Sequence, residues 1–344
     1  MISLCMIVKN GEKDIVRCLE SVKGLVDEII LVDTGSNDRT KEIAEKYGAR
    51  IFDFKWDNNF SNARNFSIEK AKGDWILILD QDEVLSKSDF ENIKVMVSKK
   101  EFLGYYITQR DYTNEIGVIG WVSCKDDKYG ESKTAFGFVP AKIVRLFRND
   151  SRIRFKDPAH PSVELSIKNI NGNIGVSEVV IHHFGFINKN KEKIQKYIDI
   201  GKENKTANYY QEYQIGSQLR NIGNLGEALK HLTESIKLND NFYLSLLELG
   251  ILFIQLGKVS EAKRFLLESL KIKEHDMAWN HLGIVMAYEN NSMEAIKCFE
   301  KAILLSPKNA DFRFNLSQAL RKFGSIKEAD FELDIARELN PSYK

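Results

Sequence analysis

Two rhythms of apolar and polar residues alternate over the first part of the chain. Ile2 to Val8 is an almost unbroken apolar run, as in a strand covered on both faces. Glu12 to Val22 then sets Ile15, Cys18, Leu19 and Val22 at i, i+3, i+4 and i+7, one face of a helix. Glu28 to Val32, Ala49 to Phe54 and Trp75 to Leu79 read as further buried strands. Helices are predicted between them over Asp38 to Tyr47, with Gly48 as C-cap, and over Asn62 to Ala71, stopped by Gly73. This βαβα order predicts an α/β domain with a mainly parallel, Rossmann-like sheet. After Glu83 the pattern loosens into strand-like pieces at Gly104 to Thr108, Ile143 to Phe147 and Val176 to His182. Asn114 to Gly137 is irregular and too long for an ordinary turn, and reads as a substrate loop or lid. Lys191 to Lys205 places Ile194, Tyr197 and Ile198 on one helical face and reads as a connector.

The remainder repeats. Gly216, Gly250, Gly283 and Ser317 follow one another at 34, 33 and 34 residues. Glu227-Ala228, Glu261-Ala262, Glu294-Ala295 and Glu328-Ala329 keep the same spacing, as do Gly223, Gly257, Asn290 and Gly324. A small residue in one helix, a turn, and Glu-Ala opening the next resembles the tetratricopeptide repeat. The resemblance implies an all-α solenoid of four units. The expected organisation is a catalytic domain over 1–190, a connector helix over 191–210 and repeats over 211–344.

Composition narrows the classes. With 43% hydrophobic and 29% charged residues the chain has an ordinary globular make-up. A net charge of +1 provides no global field for nucleic acid or a membrane surface. No apolar stretch reaches the ~20 residues that span a bilayer. Met1 to Val8, followed at once by Lys9 and Asn10, reads as a buried strand and not as a signal peptide. Cys5, Cys18, Cys124 and Cys298 are scattered and form no Cys-x-x-Cys pair, which fits reduced thiols in the cytoplasm.

The sharpest chemistry lies at Asp80-Gln81-Asp82-Glu83. A buried strand delivers two carboxylates, two residues apart, at its carboxyl end, where open α/β sheets bind ligands. Such a pair suits a hard cation, Mn²⁺ or Mg²⁺, shared with phosphate oxygens. The alternative is an acidic helix start, with Asp82 and Glu83 merely capping the turn after the strand. Ile29 to Asp33, followed by Thr34-Gly35-Ser36, is a second strand ending in Asp.

Together with Met6-Ile7-Val8-Lys9-Asn10 and Asn62-Ala63-Arg64-Asn65, in this order, these segments resemble the family 2 glycosyltransferases, whose catalytic domain has the GT-A fold. The chain is similar in particular to bacterial members that carry tetratricopeptide repeats, some of which glycosylate peptides or proteins, as the bacteriocin S-glycosyltransferases do. The resemblance implies a nucleotide-sugar donor, with UDP favoured. Val8, Asp33, Thr34, Asp80 and Gln81 would surround it, and Asp82 would hold the metal. Arg64 would contact the diphosphate or form a salt bridge to Asp80 or Asp82. His183, in Ile181-His182-His183-Phe184-Gly185-Phe186, matches a His-aromatic-Gly-aromatic motif and would be a further metal ligand or a structural histidine. The sequence departs from the family pattern at Thr34, at Gly11 and at His160-Pro161, where Asp, Glu and His-Glu are usual.

Asp157, His160 and Glu164 lie in a proline-stiffened loop and are the candidates for a general base. Trp121 and Tyr129 fit either sugar stacking or buried packing. The combined reading is an inverting, metal-dependent glycosyltransferase acting on a peptide or protein side chain, Ser/Thr or Cys. The repeats would offer an acceptor surface or a homodimer interface. The alternatives are a glycan or lipid acceptor, a non-catalytic repeat scaffold with a degenerate transferase domain, and a nucleotidyltransferase, for which Lys9-Asn10-Gly11 supplies no convincing phosphate loop.

Overall fold

The computed structural model describes residues 1–115, 118, 120–185, 191–203 and 208–343. Phe186, Lys205, the side chains of Ile194 and Tyr197, and the expected boundary at 190 lie outside the described residues. The chain first forms β1 (Ile2–Val8), α1 (Ile15–Ser21), β2 (Glu28–Asp33), α2 (Thr40–Lys46), β3 (Arg50–Asp53), α3 (Phe60–Lys70) and β4 (Trp75–Ile78). Its strands run parallel in the order β3-β2-β1-β4. Both faces of β1 are covered, as its apolar run requires. Leu4 and Met6 pack with Ile15 and Leu19 of α1, while Cys5 faces Ile68 of α3.

Beyond β4 the sheet is mixed. There follow β5 (Glu83–Leu85), α4 (Phe90–Ser98), β6 (Gly104–Thr113), β7 (Val122–Ser123), β8 (Gly137–Arg148), α5 (Glu164–Asn169) and β9 (Ile174–His183). The sheet continues β4-β8-β6-β9-β5, with β8 antiparallel to β4, β9 parallel to β6 and β5 antiparallel to β9; β7 pairs with β8. A parallel neighbour needs a crossover of roughly a dozen residues. The chain instead turns sharply after β4 through Asp80 to Asp82, so β5 leaves in another direction.

A helical array follows: α6 (Lys191–Glu203), α7 (Tyr209–Asn221), α8 (Leu225–Leu238), α9 (Tyr243–Gln255), α10 (Val259–Ile272), α11 (Asp276–Tyr288), α12 (Ser292–Leu305), α13 (Ala310–Phe323) and α14 (Ile326–Leu339). Among the described residues α7 to α14 make four helix pairs. The periodic residues have distinct jobs. A Cβ on Gly216 or Gly250 would lie 2.7 Å from Leu232 or Leu266, and one on Gly283 2.6 Å from Phe299, so the glycines set the close approach within each pair. Ala228, Ala262, Ala295 and Ala329 are fully buried. Gly223, Gly257, Asn290 and Gly324 all take positive φ in the turns, the left-handed conformation these residues tolerate. Among the described residues no helix is long and apolar enough to cross a membrane.

The chain divides into two compact units, Met1–Thr113 with Lys128–Thr134 and Pro140–Lys189, and Asn114–Asp127 with Ala135–Val139 and Asn190–Lys344. The expected first domain, 1–190, is therefore interrupted by residues that pack with the repeats. Trp121 is 1% exposed and forms a cluster with Ala310, Ala336, Leu339 and Tyr343. Around it, Ser123 donates from N to the Lys308 carbonyl (3.2 Å) and from Oγ to the Leu339 carbonyl (2.8 Å), and Lys125 pairs with Glu338 (2.6 Å). The segment expected as a lid thus packs in part on the α13–α14 pair. Trp121 is core, and so is Tyr129, whose hydroxyl bonds the Asp89 carboxylate at 3.2 Å. Neither is a sugar platform, because neither ring face is open.

Replacing Trp121 with Ala should cost about 3–5 kcal/mol, the usual penalty for emptying a buried aromatic site, read as a lower urea midpoint. Acid should also loosen the repeats. Burial pushes the His281 imidazole down to about 4, against ~6.5 in an unfolded chain. The unfolded chain then binds the extra proton between these values, so this contribution is complete above about pH 6.5 and is lost as pH falls to about 4. Melting curves from neutral pH downward should show that loss, and His281→Gln should flatten it.

Candidate active site

The turn after β4 is built from its own side chains. Glu83 N donates to the Asp80 carbonyl at 3.0 Å, and the Glu83 carboxylate accepts from Asp80 N at 2.7 Å. Glu83 is fully buried and supports the turn that presents Asp80 and Asp82. Arg64, on α3, donates from Nη2 to both Asp80 oxygens at 2.9 and 3.0 Å. Of the two readings of Arg64, the salt bridge is therefore present. The β4–β8 register brings a second guanidinium, Arg145, beside the strand end, where Nη2 reaches Asp80 (3.2 Å), Glu83 (3.2 Å) and Gln109 (3.4 Å). Burial raises the Asp80 carboxyl, but Arg64 and Arg145 outweigh it and hold the group below its ordinary range. At Glu83 burial wins over Arg145 and the carboxyl is raised.

His183 enters from β9, which pairs it with Glu83 of β5 and Asp111 of β6. Its Nδ1 lies 2.6 Å from Asp111 Oδ1 and its Nε2 lies 3.5 Å from Asp82 Oδ2. Burial lowers the imidazole, yet the Asp111 and Asp82 carboxylates reverse this and raise it to about 10. His182 points to the other side of the strand, with Nδ1 2.7 Å from the Tyr112 hydroxyl and its ring stacked on Tyr112. It is a packing residue. Phe184 N donates to the Asp82 carbonyl at 3.1 Å, which pins the end of β9 to the turn.

The ends of β1 and β2 adjoin this group. Asp33 is 2% exposed and accepts from Gly35 N and Ser36 N through Oδ2, while its buried Oδ1 has no partner among the described residues. Thr34 gives both its N–H and its hydroxyl to the Val8 carbonyl, each at 3.0 Å. Gln81 bonds both N–H and carbonyl of Lys9, at 3.2 and 3.3 Å. A Cβ at position 11 would displace the Gln81 amide from its bonds to Lys9.

The general-base candidates separate. Phe60 N donates to the Pro158 carbonyl, Ser61 Oγ to the Asp157 carbonyl, and Asn65 brackets the Phe155 backbone. These bonds tie the Asp157–His160 stretch to α3, the helix of Arg64. The Asp157 carboxylate accepts from Ala159 N and His160 N at 3.0 and 2.9 Å, and burial lowers the His160 imidazole. Glu164 is not part of that stretch. It accepts from the Tyr106 hydroxyl at 3.0 Å, and Tyr106 stands five residues, roughly 16 Å, before Asp111 along β6.

Residues 3–147 match Glycosyl transferase family 2, and residues 278–309 match the Tetratricopeptide repeat. The chain joins a family 2 glycosyltransferase domain to a tetratricopeptide array. A TPR repeat-containing protein of Synechococcus elongatus is 31% identical over 249 residues, covering 69% of this chain and 56% of that protein. The SPbeta prophage-derived glycosyltransferase SunS of Bacillus subtilis is 28% identical over 250 residues, covering 68% and 54%. An uncharacterized glycosyltransferase of Rickettsia felis is 38% identical over 109 residues, covering 31% and 38%. The chain thus spans little more than half the length of the first two relatives and less of the third.

Arg145→Met should cost about 3–5 kcal/mol, because it strands buried carboxylates. Adding Glu83→Gln should recover part of that loss. A double-mutant cycle in urea checks it, and strict additivity would contradict the shared charge balance.

Proposed function

We propose that this chain transfers a sugar, with inversion, from a nucleoside diphosphate sugar of the UDP type to a peptide or protein side chain, Ser/Thr or Cys. The observation that carries the reading is the buried Asp33 oxygen, without a partner among the described residues, on the same strand-end edge as the Asp80–Asp82 turn. An N–H of a nucleobase satisfies such an acceptor, and leaving it unmatched is costly. Val8 and Thr34, bonded to each other, form the floor of the base site, and Gln81 closes it against Lys9. Asp80, kept ionised by two guanidiniums, faces the ribose and diphosphate.

Asp82 and His183 fit a divalent cation, Mn²⁺ or Mg²⁺. Their donor atoms stand 3.5 Å apart, and a Cβ at Gly185 would fill the space between them, colliding with Asp82 Oδ2 and lying 2.7 Å from His183 Nε2. When bound, the ion neutralises charge on the departing diphosphate. Asp157 or His160, on the loop tied to α3, takes the acceptor proton; Glu164 ranks below them because Tyr106 holds it away from the edge. The repeats present the acceptor, or pair two copies. The thiols, mostly buried, fit a cytoplasmic setting.

Asp82→Ala tests the reading. A nucleotide sugar at about 100 times its Kd adds roughly 2.7 kcal/mol to native stability, seen as a thermal shift that Mn²⁺ strengthens in the parent chain. The variant should lose the Mn²⁺-dependent part of the shift and sugar transfer together. Full transfer activity in that variant would overturn the assignment. A panel in which no nucleotide sugar shifts the parent chain would favour the non-catalytic scaffold.

A further inference from the structure

We propose that Asp111 and Gly185 build the cation site: Asp111 is a positioning residue that turns His183 Nε2 toward Asp82, and Gly185 keeps the space between those two donors open. The proposal rests on the reading of Asp82 and His183 given above.

An imidazole offers a cation only the nitrogen that carries no proton, and the hydrogen bond at the other nitrogen decides which that is. Asp111 Oδ1 lies 2.6 Å from His183 Nδ1, so the carboxylate holds the Nδ1 proton, and the nitrogen that gives up its proton to a cation is Nε2, the one facing Asp82. Strand pairing makes this arrangement rigid. The parallel β6–β9 register places Asp111 beside His183, and the antiparallel β5–β9 register places Glu83 on the other side. Asp111 is itself held, because Gln109 Nε2 donates to its Oδ1 at 2.7 Å while Gln109 Oε1 accepts from Arg145 at 3.4 Å. A line of side chains therefore runs from the Asp80–Arg145 pair to the imidazole.

Gly185 works on the other side of the gap. The two atoms that a Cβ there would crowd are the proposed donors, Asp82 Oδ2 and His183 Nε2. Their 3.5 Å separation is within reach of one ion with bonds of ~2.0–2.2 Å. A methyl group at position 185 would occupy the ion's place. The backbone cannot swing aside easily, since Phe184 N is bonded to the Asp82 carbonyl and Arg17 covers the Phe184 ring at 3.9 Å.

Mn²⁺ titration of the full chain, with and without UDP, followed by calorimetry and by the electron paramagnetic resonance of free Mn²⁺, tests the assignment. Asp111→Asn keeps the shape but donates an amide proton to Nδ1, which drives the imidazole proton onto Nε2. Mn²⁺ affinity should fall ~10–100-fold, the usual effect of losing such a partner, while UDP affinity without metal stays unchanged. Gly185→Ala should lower Mn²⁺ affinity at least as far. Parent-like Mn²⁺ affinity in Asp111→Asn overturns the positioning role. If Asp111→Asn does not fold, Gly185→Ala decides, and unchanged affinity there overturns the proposal. His183→Ala separates the two levels, because parent-like Mn²⁺ binding in that variant refutes the underlying Asp82–His183 site itself.

Discussion

A guanidinium set between Asp80, Glu83 and Gln109, as Arg145 is, cannot leave without stranding carboxylates in a low-dielectric interior. That constraint reaches through much of the N-terminal unit. It ties β8 to the turn that follows β4, and through Gln109 it reaches β6. Arg64 approaches Asp80 from α3 and completes the balance. The turn that shows Asp82 outward is therefore as firmly placed as the strands behind it. Cation and nucleotide chemistry needs such pre-set donors, because donors that must first be organised bind weakly.

The strand–helix alternation up to Trp75 was legible because doubly covered strands must be continuously apolar. The periodic Gly and Ala positions were legible because each sits at a close helix contact. Asp33, Asp80 and Asp82 were legible as carboxylates at strand ends. Arg145 and Asp111 were not picked out, although Arg145 carried a signal: it is a lone charge between Val144 and Leu146 in an apolar strand, which demands a buried partner. Asp111 carried less, since its meaning comes from the β6–β9 register, a long-range pairing that local pattern does not encode. The partner of Glu164 was not legible for the same reason. Glu164 is close to His160 in sequence, yet α5 takes it to Tyr106.

The irregular segment after β6 shows how composition misleads. Gly, Asp and Lys in quantity read as a substrate loop or lid and leave its tryptophan open between sugar stacking and buried packing. Here the apolar residues of that segment answer a different need. Trp121 gives the α13–α14 pair apolar cover, packing with Ala310, Ala336 and Leu339.

The repeat array is consequently not one continuous stretch of chain. Its sealing piece is encoded between β6 and β8, far upstream of α7, so the module is discontinuous. Grafting the array onto another protein, or exchanging it for a related one, means carrying residues 114–127 and 135–139 with it. A boundary drawn at residue 211 would strip the α13–α14 pair of the apolar residues packed on it. Because Trp121, Ala336 and Leu339 share one cluster, the effects of substitutions at these positions are coupled and not additive.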